Sequence, residues 1–174
     1  MFNNKMKALI IFSFIVFVAY TLVTIILFGV LPSLSASYYK WEEKYKCCWL
    51  FSATMFTMAV TLLPAWLTLS EGSTFQFLSF LCPASLIFVG AAPRFETDRL
   101  EKWLHPIAAI ICAVCAILWL VFVGHLWWLV LICFVVFLAI GLLTKTLIKS
   151  AVFWFEMIAF ASTYIGLFTL LTLT

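Results

Sequence analysis

The chain has 174 residues, of which 67% are hydrophobic and 10% are charged, and its mean hydropathy is +1.22. A soluble domain has roughly 45–50% apolar and about 25% charged residues, so a water-soluble fold could not cover this much apolar surface with polar groups. The net charge of +3 is spread along the chain without a basic cluster, which excludes nucleic acid as a partner. The sequence predicts one all-α integral membrane domain over residues 1–174.

The first apolar run covers residues 8–30 and follows two lysines, Lys5 and Lys7. It is longer than the ~7–15-residue apolar core of a secretory signal peptide. Small residues near Ser35 could imitate a cleavage site, but the length of the run and Pro32 argue against cleavage. We therefore expect an uncleaved first transmembrane helix.

Two further apolar runs, residues 47–69 and 77–92, predict the second and third spans. Pro64 lies inside the second, where a kink is favoured over a break because neighbouring helices can satisfy the freed backbone groups. The third is shorter than the roughly 20 residues that usually cross a bilayer. It either begins a little earlier, near Phe75, or the bilayer thins around it.

The most charged segment, residues 94–104, precedes the fourth span, and Gly124–His125 make a tight turn between the fourth and fifth. The last three spans are predicted at residues 106–123, 126–143 and 151–173. Tryptophans prefer the membrane interface, and six of them lie near predicted span ends: Trp49, Trp66, Trp103, Trp127, Trp128 and Trp154. The fold class predicted is a bundle of six transmembrane helices with short loops.

The orientation follows from the lysines and arginines in the loops, which are enriched on the cytoplasmic side. Eight of the ten lie in loops one, three and five, and the other two, Lys5 and Lys7, lie on the opposite side. This bias predicts cytoplasmic odd-numbered loops, external termini and a bacterial-type plasma (inner) membrane. The first helix alone favours the reverse orientation, because both of its flanking lysines precede it.

A polar site is predicted where loops one and three share one side of the membrane. Its candidate residues are Ser35, Tyr38, Arg94, Asp98 and His105. If loop three is helical, Asp98 and Glu101 lie on one face with His105. The alternative is an interfacial connector, since tyrosine belongs at that depth. Catalytic zinc normally has three protein ligands; with only two histidines, a zinc enzyme would need carboxylate ligands as well, and the sequence predicts neither a metal nor a cofactor.

Glu156 is the only acidic residue well inside a predicted span. A charged side chain at membrane depth costs several kcal/mol and is usually paired or functional. Lys149, on nearly the same helix face, could pair with it. The functional interpretation is the proton- or cation-binding carboxylate of a small ion-coupled transporter, and the alternative is a structural contact.

Cys112 and Cys115 form a Cys-x-x-Cys pattern in the fourth span. By that pattern the chain resembles the vitamin K epoxide reductase family, whose members are membrane thiol oxidoreductases. Neither cysteine has a basic neighbour in sequence that would lower its pKa and activate it. The alternative is that both are small residues packed between helices.

The segment from Leu31 to Ser35, Leu-Pro-Ser-Leu-Ser, follows the first span directly. It resembles the Pro-x-Ile-Ser segment of the damage-regulated autophagy modulator and Sfk-type six-helix membrane proteins, and Arg94, Arg99 and His105 resemble their basic third loop. The resemblance implies a six-helix bundle distantly related to the ceramidase-like membrane hydrolases, whose paired C-terminal histidines are missing here. It also implies a first loop outside the cytoplasm, opposite to the charge count.

These observations favour a non-enzymatic, lipid-associated or accessory membrane protein with its site in loops one and three. Its predicted partners are membrane lipids, and other membrane proteins or a second copy of the chain are further candidates. The alternatives are an ion-coupled transporter using Glu156 and a membrane-embedded thiol oxidoreductase or hydrolase.

Overall fold

The computed structural model describes residues 2–173, which contain seven α-helices and no strand. The helices are α1 (Phe2–Phe28), α2 (Ser37–Tyr45), α3 (Trp49–Leu69), α4 (Gln76–Ala91), α5 (Glu101–Phe122), α6 (Trp127–Leu143) and α7 (Ala151–Leu173). The predicted all-α class is confirmed. Each of the six apolar runs became one helix, because a helix satisfies all its backbone hydrogen bonds within one segment.

Four of these helices, α1, α3, α5 and α7, are long and apolar enough to cross a membrane. Two more, α4 and α6, are apolar but shorter, with 16 and 17 residues. The chain is therefore a multi-pass, multi-helix membrane protein. Its apolar exterior agrees with this, because large side chains such as Ile26 and Val135 are more than half exposed on the helix surfaces.

The short helix α2 is a departure from the connector expected after the first span. Its nine residues bury Tyr38 and Trp41 on one face, while the exposed side chains of Lys40 and Glu43 form an ion pair at 2.9 Å on the other. The turn before it is closed by the Ala36 N–H, which donates to the Ser33 hydroxyl. Hydropathy did not predict this helix, because its composition is polar overall and its apolar face is only a few residues long.

The fourth apolar helix, α5, also begins earlier than predicted, at Glu101 rather than residue 106. The Asp98 carboxylate accepts hydrogen bonds from the N–H groups of Leu100 and Glu101, at 2.8 and 3.1 Å. These bonds satisfy backbone donors that a helix start leaves free. Pro106 therefore lies inside the helix, and the charged residues before it form the first turn.

The core is built by α4 packing between α3 and α5, with α1 beside α3 and with α7 beside α6 and α5. Gly90 lets α4 approach α3 closely, because a Cβ there would lie only 3.0 Å from the Cβ of Met55. Gly166 does the same for α7, where a Cβ would overlap the Leu120 side chain. Small residues at helix crossings are the usual basis of close packing in membranes.

The odd-numbered loops meet at one end of the bundle, which we call the odd-loop end. Loops one and three touch where the Glu96 N–H donates to the Tyr39 hydroxyl, 2.6 Å away. Loops one and five touch where the Ser150 hydroxyl donates to the Val30 carbonyl, 3.5 Å away, and in the first turn of α7 the Phe153 N–H donates to the Pro32 carbonyl, 3.1 Å away. This end is formed by residues 29–48, 92–100 and 144–150.

At the other end, which we call the even-loop end, loop two packs against the last turns of α5, just before loop four. The Trp119 indole N–H donates to the Ser70 hydroxyl, 2.6 Å away. The rings of Phe75 and Phe122 stack with their centroids 4.7 Å apart. This end is formed by residues 70–75 and 123–126.

Candidate functional site

Ser35 in loop one and His105 on α5 form a buried pair at the odd-loop end. The Ser35 Oγ lies 2.8 Å from the His105 Nε2, and the His105 Nδ1 lies 2.8 Å from the carbonyl oxygen of Ala92. A carbonyl can only accept, so the neutral imidazole carries its proton on Nδ1 and its Nε2 accepts from the serine hydroxyl. The two side chains are only 5% and 4% exposed.

Aromatic rings hold the imidazole in this orientation. Phe95 from loop three stacks on the His105 ring with centroids 4.5 Å apart, and Phe51 from the first turn of α3 lies 6.2 Å away. The ring is thus fixed by packing on its faces and by hydrogen bonds at both nitrogens. Neither Phe95 nor the Ala92 carbonyl was identified from the sequence. A backbone acceptor leaves no sequence signal, and an aromatic residue in a loop is not a specific one.

Glu156 holds loop one from the other side. Its Oε2 accepts a hydrogen bond from the Leu34 N–H at 2.6 Å, and Ser35 lies beside the same carboxyl group. The suggested pairing with Lys149 was wrong, because the Lys149 side chain is exposed while the Glu156 carboxyl points to loop one. The Leu34–Ser35 segment is therefore held by His105 on α5 and by Glu156 on α7.

Tyr38 and Arg94 lie at the outer rim of this pair. The Arg94 Nε donates to the Tyr38 hydroxyl at 3.3 Å, with the tyrosine buried on α2 and the arginine exposed. Burial raises the pKa of the Tyr38 hydroxyl, and the hydrogen bond to Tyr38 raises the pKa of Arg94. At neutral pH the rim therefore presents a fixed cation next to a protonated phenol.

Asp98 is the one residue of the predicted loop site whose side chain does not join the others, although its N–H donates to the Arg94 carbonyl at 2.9 Å. Its carboxylate caps the start of α5, as described above, instead of facing His105. Glu101 likewise bonds to the backbone, accepting from the Arg94 N–H. Both carboxylates shape loop three, while Ser35, Tyr38, Arg94 and His105 assemble.

A narrow cavity of about 60 Å³ lies between α3, α4, α5 and α7. Ser35 and Glu156 line it at the odd-loop end, and apolar side chains continue the lining to Trp66 and Ala116 towards the other end. Along α3 the lining runs from Phe51 to Trp66, which is about 22 Å at 1.5 Å per residue. The cavity is long, thin and mainly apolar. Ser35 and Glu156 lie at its odd-loop end, and Thr163, Tyr164 and Trp66 add polar groups further along it.

The candidate thiol pair is arranged differently from the sequence pattern. The Cys112 Sγ lies 3.8 Å from the Sγ of Cys82 on α4, and Cys115 has no thiol partner among the described contacts. All six cysteines are free. The sequence did not predict a role for Cys82, because Cys82 comes close to Cys112 only through the packing of α4 on α5. Both Cys82 and Cys112 line the cavity.

Within residues 2–173, no group of three histidine, cysteine, aspartate or glutamate side chains lies close enough to hold a metal ion. The fold and the site define a polytopic helical membrane protein with an internal, mainly apolar cavity. No family model matches this chain, and neither a curated protein nor a solved structure is significantly similar to it. The resemblance to the autophagy modulator and Sfk-type proteins stays a prediction.

Proposed function

We propose that this chain crosses the membrane six times and binds an acyl chain of a membrane lipid in its cavity. The observation that carries the proposal is the shape and polarity of the cavity, an apolar slot that ends at Ser35 and Glu156, with His105 hydrogen-bonded to Ser35 behind it. A lipid has the matching polarity, since its hydrocarbon chain ends in an ester or other polar group. A cavity of about 60 Å³ holds only a few methylene groups, so the helices around it must separate to admit the rest of the chain. The loop site and the cavity then belong to one binding site.

The six-span arrangement is supported by where α4 and α6 begin and end. The start of α3 and the end of α4 both reach His105, through Phe51 and the Ala92 carbonyl, so α4 returns over the thickness that α3 crosses. At the end of α6, Thr146 accepts a hydrogen bond from the indole of Trp154, whose neighbour Phe153 bonds loop one. Both short helices therefore run from the even-loop end to the odd-loop end.

The shortness of α4 and α6 is compatible with spanning. Their 16 and 17 residues give a length of about 24–26 Å at 1.5 Å per residue, against a hydrocarbon core of about 30 Å. A deficit of this size is met by local thinning of the bilayer at a cost of fractions of a kcal/mol per Å.

The gap between α5 and α7 is the route by which an acyl chain would reach the cavity. Ala109 and Ala113 on α5 and Phe160 on α7 line the cavity, yet each is partly exposed. In a bilayer the medium outside this gap is hydrocarbon. A lipid tail can then move sideways into the slot without passing through water, so the hydrophobic cost of transfer is small.

The rim supplies a contact for the headgroup. Arg94 is exposed at the odd-loop end and is oriented by Tyr38. A guanidinium suits phosphate oxygens because its N–H groups match their geometry. If the odd-numbered loops are cytoplasmic, as the lysine and arginine distribution predicts, Arg94 faces the leaflet in which anionic lipids are common. An anionic phospholipid is thus the preferred occupant.

The test is the lipid that accompanies the purified protein. Ala113→Phe fills the cavity, and its matched control Ala139→Phe adds the same ring to an exposed position on α6. After detergent washing, mass spectrometry should find about one phospholipid per chain in the wild type and in Ala139→Phe, and a several-fold loss in Ala113→Phe. Equal lipid in all three folded proteins would overturn the proposal.

Glu156 lines the same cavity, and this observation favours ion-coupled transport as the second candidate function. A buried carboxylate beside a substrate path is a common proton-binding group in membrane proteins. In the lipid-binding proposal the same carboxyl has a simpler task, because it fixes Leu34 and thereby Ser35 at the end of the slot.

A further inference from the structure

The geometry points to an activity at the end of the cavity: we propose that Ser35 is a nucleophile, activated by His105, that cleaves an acyl ester. The proposal rests on the proposed function, because the acyl chain of the substrate would occupy the cavity described above. Nucleophilic catalysis requires a hydroxyl within hydrogen-bond reach of a base that is itself oriented by a third group. Ser35, His105 and the Ala92 carbonyl meet this requirement. The Ser35 Oγ lies 2.8 Å from the His105 Nε2, and the His105 Nδ1 lies 2.8 Å from the Ala92 oxygen.

The orientation of the proton decides the role of each group. The Ala92 carbonyl fixes the imidazole proton on Nδ1, so the free lone pair on Nε2 faces the Ser35 hydroxyl. A histidine held as a general base needs this tautomer, as in serine hydrolases, where a carboxylate provides the fixing contact. Here a backbone carbonyl takes that place, which is why no acidic partner for His105 stands out in the sequence.

Loop one keeps the nucleophile in position. The Leu34 N–H is tied to Glu156 on α7, and the Ser35 side chain is tied to α5, so the hydroxyl is held between two packed helices. A site on anchored backbone keeps its geometry within the narrow range that catalysis requires. The phenyl rings of Phe51 and Phe95 restrain His105 in the same way.

The reaction has two steps with water as the second reactant. In the first, Ser35 Oγ bonds to the acyl carbon as its proton passes to His105 Nε2, the carbon–oxygen bond of the ester breaks, and His105 returns the proton to the leaving alcohol. In the second, water gives a proton to His105 and its oxygen bonds to the acyl carbon. The bond between Ser35 Oγ and the acyl carbon then breaks, the carboxylic acid leaves, and His105 returns the proton to Ser35 Oγ. Atoms and charge balance without a metal or a redox partner.

The cavity sets the substrate class. Its apolar lining fits the hydrocarbon part of a long-chain ester, and its end places the ester carbonyl next to Ser35 rather than deep among the helices. The alcohol half of the ester would lie towards Tyr38 and Arg94, where a phosphate-bearing group has a cation to contact. Long-chain glycerolipid esters are therefore preferred over short, water-soluble ones.

The test is covalent labelling of the whole protein in nanodiscs by a long-chain alkyl fluorophosphonate. Ser35 should carry the adduct by peptide mapping, and Ser35→Ala should carry none. Ser52→Ala, which removes a half-buried hydroxyl from the first turn of α3 at the same end of the molecule, should be labelled like the wild type. His105→Gln keeps a hydrogen-bond acceptor but no base, so it should be labelled roughly 10²-fold or more slowly, the usual contribution of a general base.

Hydrolysis of nitrophenyl esters gives a second readout on the same preparations. The wild type should release nitrophenol from a long-chain ester faster than from a butyrate ester, and Ser35→Ala should abolish the difference. Absence of an adduct on Ser35, or labelling of His105→Gln at the wild-type rate, would overturn the proposal. If bound phospholipid is still found in those samples, the binding function stands and only the catalysis fails; if it is absent as well, both fail.

Discussion

At the scale of single residues, the site shows what charge and hydroxyl patterns in a sequence can find. Ser35, Tyr38, Arg94 and His105 were identified because two polar loops in an apolar chain must share a side of the membrane. The contact between Glu156 and the Leu34 N–H could not be found that way, since a backbone donor is present at every position. The expected Lys149 partner assumed that a buried carboxylate seeks a charge, whereas here it accepts from the backbone.

The Glu156 contact leads to a prediction about stability. Glu156→Ala leaves the buried Leu34 N–H without an acceptor, which should lower the free energy of unfolding by about 1–3 kcal/mol. Glu156→Gln retains a carbonyl oxygen in that place and should lose less. Equilibrium unfolding in mixed detergent micelles measures both.

The control for that series is Glu96→Ala, which removes an exposed carboxylate from the same end of the molecule. An exposed substitution of this kind should change the free energy of unfolding by no more than about 0.5 kcal/mol. Indistinguishable stabilities for Glu156→Ala and Glu96→Ala would mean that the carboxyl does not hold loop one.

At the scale of helices, hydropathy was sufficient to find six of the seven elements. The helix it missed, α2, has a mixed composition in which Tyr38 and Trp41 make the buried face. Its position depends on tertiary contacts, such as the Tyr20 hydroxyl bonded to Ser37 at 2.5 Å. The start of α5 was also displaced, because the capping by Asp98 competes with the preference of Pro106 for a first turn.

The crossing of α4 and α6 can be tested by the sides on which loop residues are labelled. Single cysteines are placed at Thr74→Cys and His125→Cys in the even-loop end, and at Thr97→Cys and Lys145→Cys in the odd-loop end. Cys47 and Cys48 are replaced by serine in the background because both are partly exposed. An impermeant maleimide added to intact cells should label the first pair and not the second.

Permeabilised cells provide the control, since all four sites should then react. The grouping of sites tests the six spans, and the identity of the labelled pair tests the orientation. If Thr74→Cys and Thr97→Cys react alike in intact cells, α4 does not cross the membrane. If Thr97→Cys and Lys145→Cys are the labelled pair, the six spans are still supported, but the orientation predicted from the lysine and arginine count is wrong.

At the scale of the whole molecule, the account joins a loop site to an intramembrane cavity. The sequence predicted the two polar loops and the apolar runs separately. It could not predict the slot between α3, α4, α5 and α7, because a cavity depends on which faces pack and on close approaches such as the one at Gly90. The cavity is what turns a polar cluster at a membrane surface into a site for an amphiphilic molecule.

The central claim is that a lipid tail occupies this cavity, and photocrosslinking in membranes tests it most directly. A phospholipid with a diazirine near the end of its acyl chain is incorporated into vesicles with the wild-type protein. The vesicles are irradiated, and the crosslinked residues of the protein are identified by mass spectrometry. We expect adducts on cavity residues such as Met55, Leu86 and Ala116, which are buried from the surrounding bilayer, with loss of these adducts in Ala113→Phe. Adducts confined to outward-facing residues such as Leu131 and Val135 would contradict the account.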